Sequence, residues 1–395
     1  MDYLPGKNDR RYKVGLLARR AFHFYSQDVV AGMSAAKLEP GQVILPVDLL
    51  YQSDEDIRRL LTDCDLDGLI LGLDRGRYEL YRECLPDVPM VNVHPDILAN
   101  DIPTIAIDPH ALAVASVRYF KSLGVSHVAN LSTFNTEAQD RVNQTMKELV
   151  EAAGGSFTSY SIHVPGLVAS YENTRTMPEV AEFESWLENL KRPTGVLSSG
   201  GYTAVMLAQS AQRMGINIPD ELSILSRSDD SVCLFADPPV SSFRSIGSVV
   251  GKMALEFLGS YFTHGQWPET CRALPVPSVI ERYSTGVPAG MSRSMHTAVH
   301  YIRRNALKGV TVDDVLAACP GLSRSRLYRE FEANFGHSPA QEITRLRVDE
   351  AKYQLRFTDK SLGEIAEWCS FKGAPQFSTV FAREVGQPPG SWRKS

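Results

Sequence analysis

The chain has 395 residues, enough for two or three domains, and its 43% hydrophobic content is sufficient for a core in each. The net charge of −5 hides an asymmetry: from Met291 onward 16 Lys+Arg stand against 11 Asp+Glu, while the residues before carry 25 against 35. A basic module suited to a polyanion is therefore expected behind an acidic module with another task. The opening MDYLPGKNDRRYKVG has no apolar targeting core, and no apolar run approaches the ~18 residues of a membrane helix, so a cytoplasmic protein without a membrane partner is expected.

The first part alternates strand and helix patterns. Tyr12–Ala18 is an apolar run fit for a buried strand, Tyr25–Leu38 reads as a helix and Val43–Val47 as a strand. Asp54–Thr62 is helical, and Gly68–Leu73 and Pro89–Val93 are strands. After Ile105–Ile107, Asp108 caps a helix to Leu123. Val125–Leu131 is a strand and Glu137–Ala153 a helix. Phe157–Ile162, Gly195–Ser198 and Leu222–Leu225 are strands, separated by helices near 178–191 and 202–214. Repeated β-α units imply parallel sheets covered on both faces, and their number fits two lobes with a cleft.

Tyr283–Ser294, YSTGVPAGMSRS, is rich in Ser, Gly and Pro and marks a boundary. Beyond it the sequence repeats at an offset of fifty. Val312, Val315, Cys319, Leu327, Phe331, Phe335, Gly336 and Pro339 return as Leu362, Ile365, Cys369, Phe377, Phe381, Val385, Gly386 and Pro389. Each copy reads as helix, turn and second helix, at about 311–336 and 361–386. Thr311, Ser323 and Ser361 are the expected caps. Opposite the buried Leu327 and Phe331, the first copy displays Arg324, Ser325, Arg326, Tyr328 and Arg329. The second displays Pro375, Gln376, Thr379 and Arg383. These are the candidate DNA-reading residues, because the second helix of such a unit enters a major groove. One copy alone would suit a helical bundle with a solvated basic face equally well; two in register favour DNA. Pro339–Phe357 is predicted to be a rigid helical spacer between them.

Enzyme motifs are lacking: there is no G-x-G-x-x-G, P-loop, H-E-x-x-H or G-x-S-x-G. The six cysteines lie far apart without a C-x-x-C pair and the nine histidines form no spaced cluster, so reduced thiols are expected, with no metal and no cofactor.

The run SFKGAPQFSTVFAREVGQPPGSWR, Ser370–Arg393, resembles the signature of the AraC/XylS transcription regulators, with Ser370 where that family usually has Gly. MGINIPDELSILSRSDD (Met214–Asp230), PPVSSFRSIGSVVGKMALEFL (Pro238–Leu258), PVPSVIERYSTG (Pro275–Gly286) and Ile107–Ser132 resemble the effector-binding domain of LacI/GalR repressors, a periplasmic-binding-protein-like fold. Together they imply a two-lobed α/β sensor at 1–285, a linker at 286–294 and an all-α domain with two helix-turn-helix motifs at 295–395. The implied function is a non-enzymatic regulator of carbohydrate-utilisation genes. It would bind a double-stranded DNA operator as a homodimer, with RNA polymerase as a further partner, and respond to a sugar such as xylose or to a sugar acid. By the same resemblance Arg141 and Asp229 are expected ligand contacts, with Phe24, Tyr25 and Arg20 in the first strand–helix loop. The family's Asn-Asp or Thr-Asp is replaced by Ser199-Gly200-Gly201, and Arg227 replaces a Gly. Tyr171 and Asn173 are candidates to compensate. The alternative is a regulator whose sensor no longer binds sugar and is constitutive or partner-controlled.

Overall fold

The computed structural model describes residues 11–18, 23–36, 43–48, 54–72, 78–93, 102–132, 136–162, 178–286 and 292–394. Strands β1 (Arg11–Ala18), β2 (Val43–Asp48), β3 (Gly68–Gly72), β4 (Met90–Asn92) and β5 (Thr104–Ile107) alternate with helices α1 (His23–Ser34), α2 (Asp54–Cys64) and α3 (Tyr78–Cys84). Then follow α4 (Pro109–Ser122), β6 (His127–Ser132), α5 (Glu137–Ala152), β7 (Ser156–Ser161), α6 (Pro178–Glu188), β8 (Thr194–Ser198), α7 (Gly201–Arg213) and β9 (Leu222–Ser226). The α/β part closes with α8 (Val232–Phe235), β10 (Ser241–Phe243), α9 (Gly247–His264), β11 (Cys271–Leu274) and β12 (Val279–Ile280). The alternation read from the sequence is present; α3 and the elements from α8 to β12 are additional to it.

Two six-stranded sheets result, ordered β11-β5-β4-β3-β1-β2 and β12-β10-β9-β8-β6-β7. The first is parallel in its described pairs, as are β8–β9 and β9–β10, while β12 closes the second sheet antiparallel to β10. Buried parallel strands need apolar residues on both faces. Successive residues accordingly serve opposite sides of the first sheet. Leu16, Ile70 and Val91 pack with Val29 and Met33 of α1 and with Val250, Ala254 and Leu258 of α9. Leu17, Leu69, Leu71 and Met90 pack with Ile57 and Leu61 of α2 and Leu80 and Tyr81 of α3. Helices α1 and α9 cross backbone to backbone. A Cβ at Gly32 would overlap the Ser248 carbonyl, and one at Gly251 the Val29 carbonyl, so no other residue fits without separating the helices.

The C-terminal part is helical: α10 (Arg293–Asn305), α11 (Val312–Ala318), α12 (Arg324–Phe335), α13 (Pro339–Phe357), α14 (Leu362–Trp368), α15 (Ala374–Val385) and α16 (Pro389–Lys394). The repeat is reproduced element by element. Helices α11 and α14 both have 7 residues, and α12 and α15 both have 12. Thr311 with Asp314, and Ser361 with Glu364, form capping boxes at equivalent positions. Gly336 and Gly386 end α12 and α15 with φ of 71° and 85°, the left-handed cap that glycine adopts without steric cost. Each copy has its own core, one around Val315, Leu327 and Phe331, the other around Ile365, Phe377 and Phe381. The 19-residue α13 gives Ile343 to the first and Val348, Ala351 and Leu355 to the second, which makes it the predicted spacer. Helix α10 is not among the elements expected from the sequence. Its Met295, Ala298, Val299 and Ile302 seal the first core, and their spacing of three and four was a readable signal.

The chain divides into two compact units. One comprises Met1–Arg118, Ala129–Leu190 and Ser245–Val276, the other Tyr119–Val128, Lys191–Arg244 and Pro277–Ser395. The second unit joins the later α/β segments to the helical part.

Candidate DNA interface and effector site

Leu327 and Phe331, both fully buried, fix the rotation of α12 and leave a polar face outward. Ser323 caps the helix, its hydroxyl accepting the Arg326 N–H at 3.3 Å. Arg324, Ser325 and Arg329 are exposed, with Arg326 and Tyr328 half-buried; Arg324, Ser325 and Tyr328 line one open surface depression. Arg324 is ion-paired with Asp313 of α11, and Arg326 Nε lies 2.6 Å from Glu330. Arg329 makes no hydrogen bond or ion pair among the described residues, which leaves its guanidinium available for a bidentate base contact.

In α15 the expected residues Pro375, Gln376, Thr379 and Arg383 are all exposed. Pro375 sits in the first turn, where the missing N–H is tolerated. The other three are engaged locally. Gln376 Oε1 accepts the Lys372 N–H at 2.7 Å, the Thr379 hydroxyl donates to the Pro375 carbonyl at 3.0 Å, and Arg383 lies 2.6 Å from Glu384. Ser370 occupies φ +56°, where glycine would be freer, and its hydroxyl donates to the Leu307 carbonyl at 2.7 Å. That bond ties the turn of the second motif to the segment between α10 and α11.

These contacts set an expected result. Arg329→Ala should weaken binding to a selected operator by about 1–3 kcal/mol and relax base preference there, measured by anisotropy titration of labelled duplexes. An unchanged Kd on matched and mismatched duplexes would remove Arg329 from the reading face.

The candidate effector residue Asp229 follows β9, at the carboxyl end of the second sheet, the end where parallel sheets bind ligands. Its Oδ1 accepts the Ser242 hydroxyl at 2.7 Å and faces Arg282 Nη2 at 2.7 Å. Arg282 Nη1 is held by the Val240 carbonyl at 2.7 Å and Ser242 Oγ at 2.8 Å. Asp229 Oδ2 has no hydrogen-bond partner among the described residues. Its neighbour Asp230 caps α7 instead, its Oδ2 accepting the Gly201 N–H at 2.7 Å and the Ser228 hydroxyl at 2.9 Å. A Cβ at Gly201 would press on Asp230 at 2.7 Å, which explains glycine there. Cys233 beneath this pair is held protonated, its thiol pushed up to about 12 by burial and then by Asp230 and Asp229.

Arg141 is exposed near the start of α5, which Thr136 caps. Arg227 is half-buried after β9, its N–H bonded to the Ser198 carbonyl at 3.0 Å. Phe24 and Tyr25 lie in α1, their side chains outside the described residues; Arg20, Tyr171 and Asn173 also lie outside them. Arg282 and Ser242 are not among the expected ligand contacts, although both stand in the segments Pro238–Leu258 and Pro275–Gly286 that carry the family resemblance. Among the described residues no group of three or more His, Cys, Asp or Glu could hold a metal, and no helix is long and apolar enough to cross a membrane.

Parallel α/β sheets followed by two tandem helix-turn-helix units define the class: this is a DNA-binding transcription regulator with a sensor domain. Residues 117–285 match the periplasmic binding protein-like domain family, and residues 316–395 match a helix-turn-helix domain family. Xylose operon regulatory protein of Escherichia coli strain K12 is 25% identical over 397 residues, covering 97% of each chain. A putative AraC-like transcription regulator of Streptomyces lividans is 36% identical over 98 residues, 25% of this chain and 32% of that one. The solved structure of the xylose-binding transcription activator xylR has the same fold, with a TM-score of 0.56 at 21% identity over 98% of this chain and 99% of that one. The chain thus resembles AraC-type regulators in its helical part and periplasmic-binding-protein-like domains in the part before it.

Proposed function

We propose that this chain is a cytoplasmic, homodimeric regulator of carbohydrate-utilisation genes, without enzymatic activity, that changes its hold on an operator when a sugar binds its sensor. Xylose is the first candidate. The observation that carries this reading is the similarity to a xylose operon regulatory protein over 97% of both chains. In this reading Asp229 Oδ2 accepts a sugar hydroxyl while Arg282 and Ser242 hold the carboxylate in place, and Arg141 clamps the ligand from α5. Arg20, Phe24 and Tyr25 complete the sugar contacts. Helix α12 reads bases, α15 adds backbone and groove contacts through Pro375, Gln376, Thr379 and Arg383, and RNA polymerase is met at the promoter. The sensor is taken as residues 1–285 and the reader as 295–395.

A second reading is favoured by Ser199-Gly200-Gly201, which supplies no carboxylate after β8. A sensor altered there would answer to a protein partner or to nothing.

Thermal melting of the full chain against pentoses, hexoses, sugar acids and sugar phosphates separates the two. A ligand at 100 times its Kd stabilises the native state by about 2.7 kcal/mol. Xylose should raise the melting temperature of the wild type and leave that of Asp229→Asn nearly unmoved. A shift with sugar acids alone would replace xylose by an anion held by Arg141 and Arg227, and no shift with any member would establish the second reading.

A further inference from the structure

Glu281, Arg282 and Tyr283 follow β12 directly, and Arg282 has extended backbone angles, φ −129° and ψ −163°. Successive side chains of an extended segment point to opposite sides. Arg282 turns toward Asp229 and is only 11% exposed. Glu281 and Tyr283 turn to the helical part. Glu281 Oε2 lies 2.7 Å from Arg303 Nε of α10 and 3.7 Å from Arg345 Nη2 of α13. The Tyr283 ring stacks on His300 of α10 with centroids 3.7 Å apart. Arg303 and Arg345 also share the buried Glu342 of α13, at 4.0 and 2.7 Å.

The segment has little slack. The Ser284 hydroxyl donates to the Ile224 carbonyl of β9 at 2.6 Å, Thr285 meets the Tyr119 hydroxyl at 2.8 Å, and Arg303 Nη1 donates to the Gly286 carbonyl at 2.9 Å. A side chain pinned on one side of such a strand cannot shift without moving its neighbours on the other.

We propose that Glu281–Tyr283 is the transmission segment of this regulator. A group that binds Asp229 changes the hold of Asp229 on Arg282, and the strand passes that change through Glu281 and Tyr283 to α10 and α13. Helix α13 is built into the cores of both helix-turn-helix units, so one displacement reaches both reading helices. Arg282, Glu281 and Arg303 act as positioning residues. This rests on the reading of Asp229 as the effector contact.

The test is a double-mutant cycle on operator affinity in the full chain, using a duplex selected from a random pool by the wild type. Asp229→Asn should change the operator Kd by about fivefold or more, within the usual range of coupling between sites. In an Arg303→Gln background the same substitution should change it by less than about twofold, the scatter expected of independent sites. The conservative Arg303→Lys, which keeps a cation beside Glu281 and Glu342, should retain the effect of Asp229→Asn, which separates loss of the charge from disruption of the fold. Equal effects of Asp229→Asn in the wild-type and Arg303→Gln backgrounds, or none in the wild type, would overturn the proposal. Failure of the sugar panel together with a positive cycle would instead refute the effector reading and leave the transmission segment in place.

Discussion

Replacing Arg244 with methionine should destabilise the second compact unit by about 3–5 kcal/mol, the usual cost of leaving one member of a buried ion pair alone. Arg244 Nη2 lies 2.5 Å from Glu350 Oε2, and its guanidinium stands 4.7 Å over the Tyr353 ring. Glu350 is 2% exposed, in the middle of α13. Its other oxygen is taken by Gln354 Nε2 at 2.7 Å and Trp368 Nε1 at 2.9 Å. Neither bond neutralises the charge, so methionine leaves a buried carboxylate without a cation. The double variant Arg244→Met/Glu350→Gln should recover most of the loss, since a neutral amide retains the acceptor oxygen. Urea titration gives both values. A single-variant loss below about 1 kcal/mol, the scale of an exposed pair, would mean that water reaches Glu350.

Acid should loosen the same unit through His300. Its ring is 5% exposed, stacked on Tyr283, and has no hydrogen bond among the described residues. Burial first, then the charges of Arg303 and His296, together lower its pKa to about 4. The unfolded imidazole titrates near 6.5. The folded state therefore binds fewer protons between these values, and the associated stability is full above about pH 6.5 and lost as the pH falls toward 4. The complete loss is roughly 3 kcal/mol at 1.36 kcal/mol per unit. His300→Phe keeps the stacking and removes the proton site, so its stability should be nearly flat from pH 6.5 to 4.5 while the wild type declines. Glu342 acts in the same direction at the acid end. Burial raises its pKa, but Arg345, Arg303 and His337 outweigh burial and hold it below the ordinary carboxylate value, so its contribution is full above that value and is lost as the pH falls from there through the folded pKa. Parallel pH profiles for the two proteins would exclude His300 as the source.

The DNA-binding part was the more legible half. A repeat at fixed offset, helix caps and aromatics at intervals of four are local signals, and each helix reports its own buried face. Arg324, Ser325, Arg329, Pro375, Gln376, Thr379 and Arg383 are exposed as expected, because Leu327, Phe331, Phe377 and Phe381 fix the rotation of their helices. The candidate effector site was legible only in outline. In Asp229-Asp230 the sequence offers two equal carboxylates; chain folding gives one to the α7 cap and the other to Arg282.

The sequence by itself determined the alternation of β and α units, both helix-turn-helix copies and the long helix between them, because periodicity, caps and turns act over a few neighbouring residues. Only the tertiary structure decided which charges meet. The Asp229–Arg282, Glu281–Arg303 and Arg244–Glu350 pairs join segments far apart in the chain, brought together by sheet order and helix docking. An ion pair carries no local periodicity, so its partner cannot be read until the strands that position it are in register.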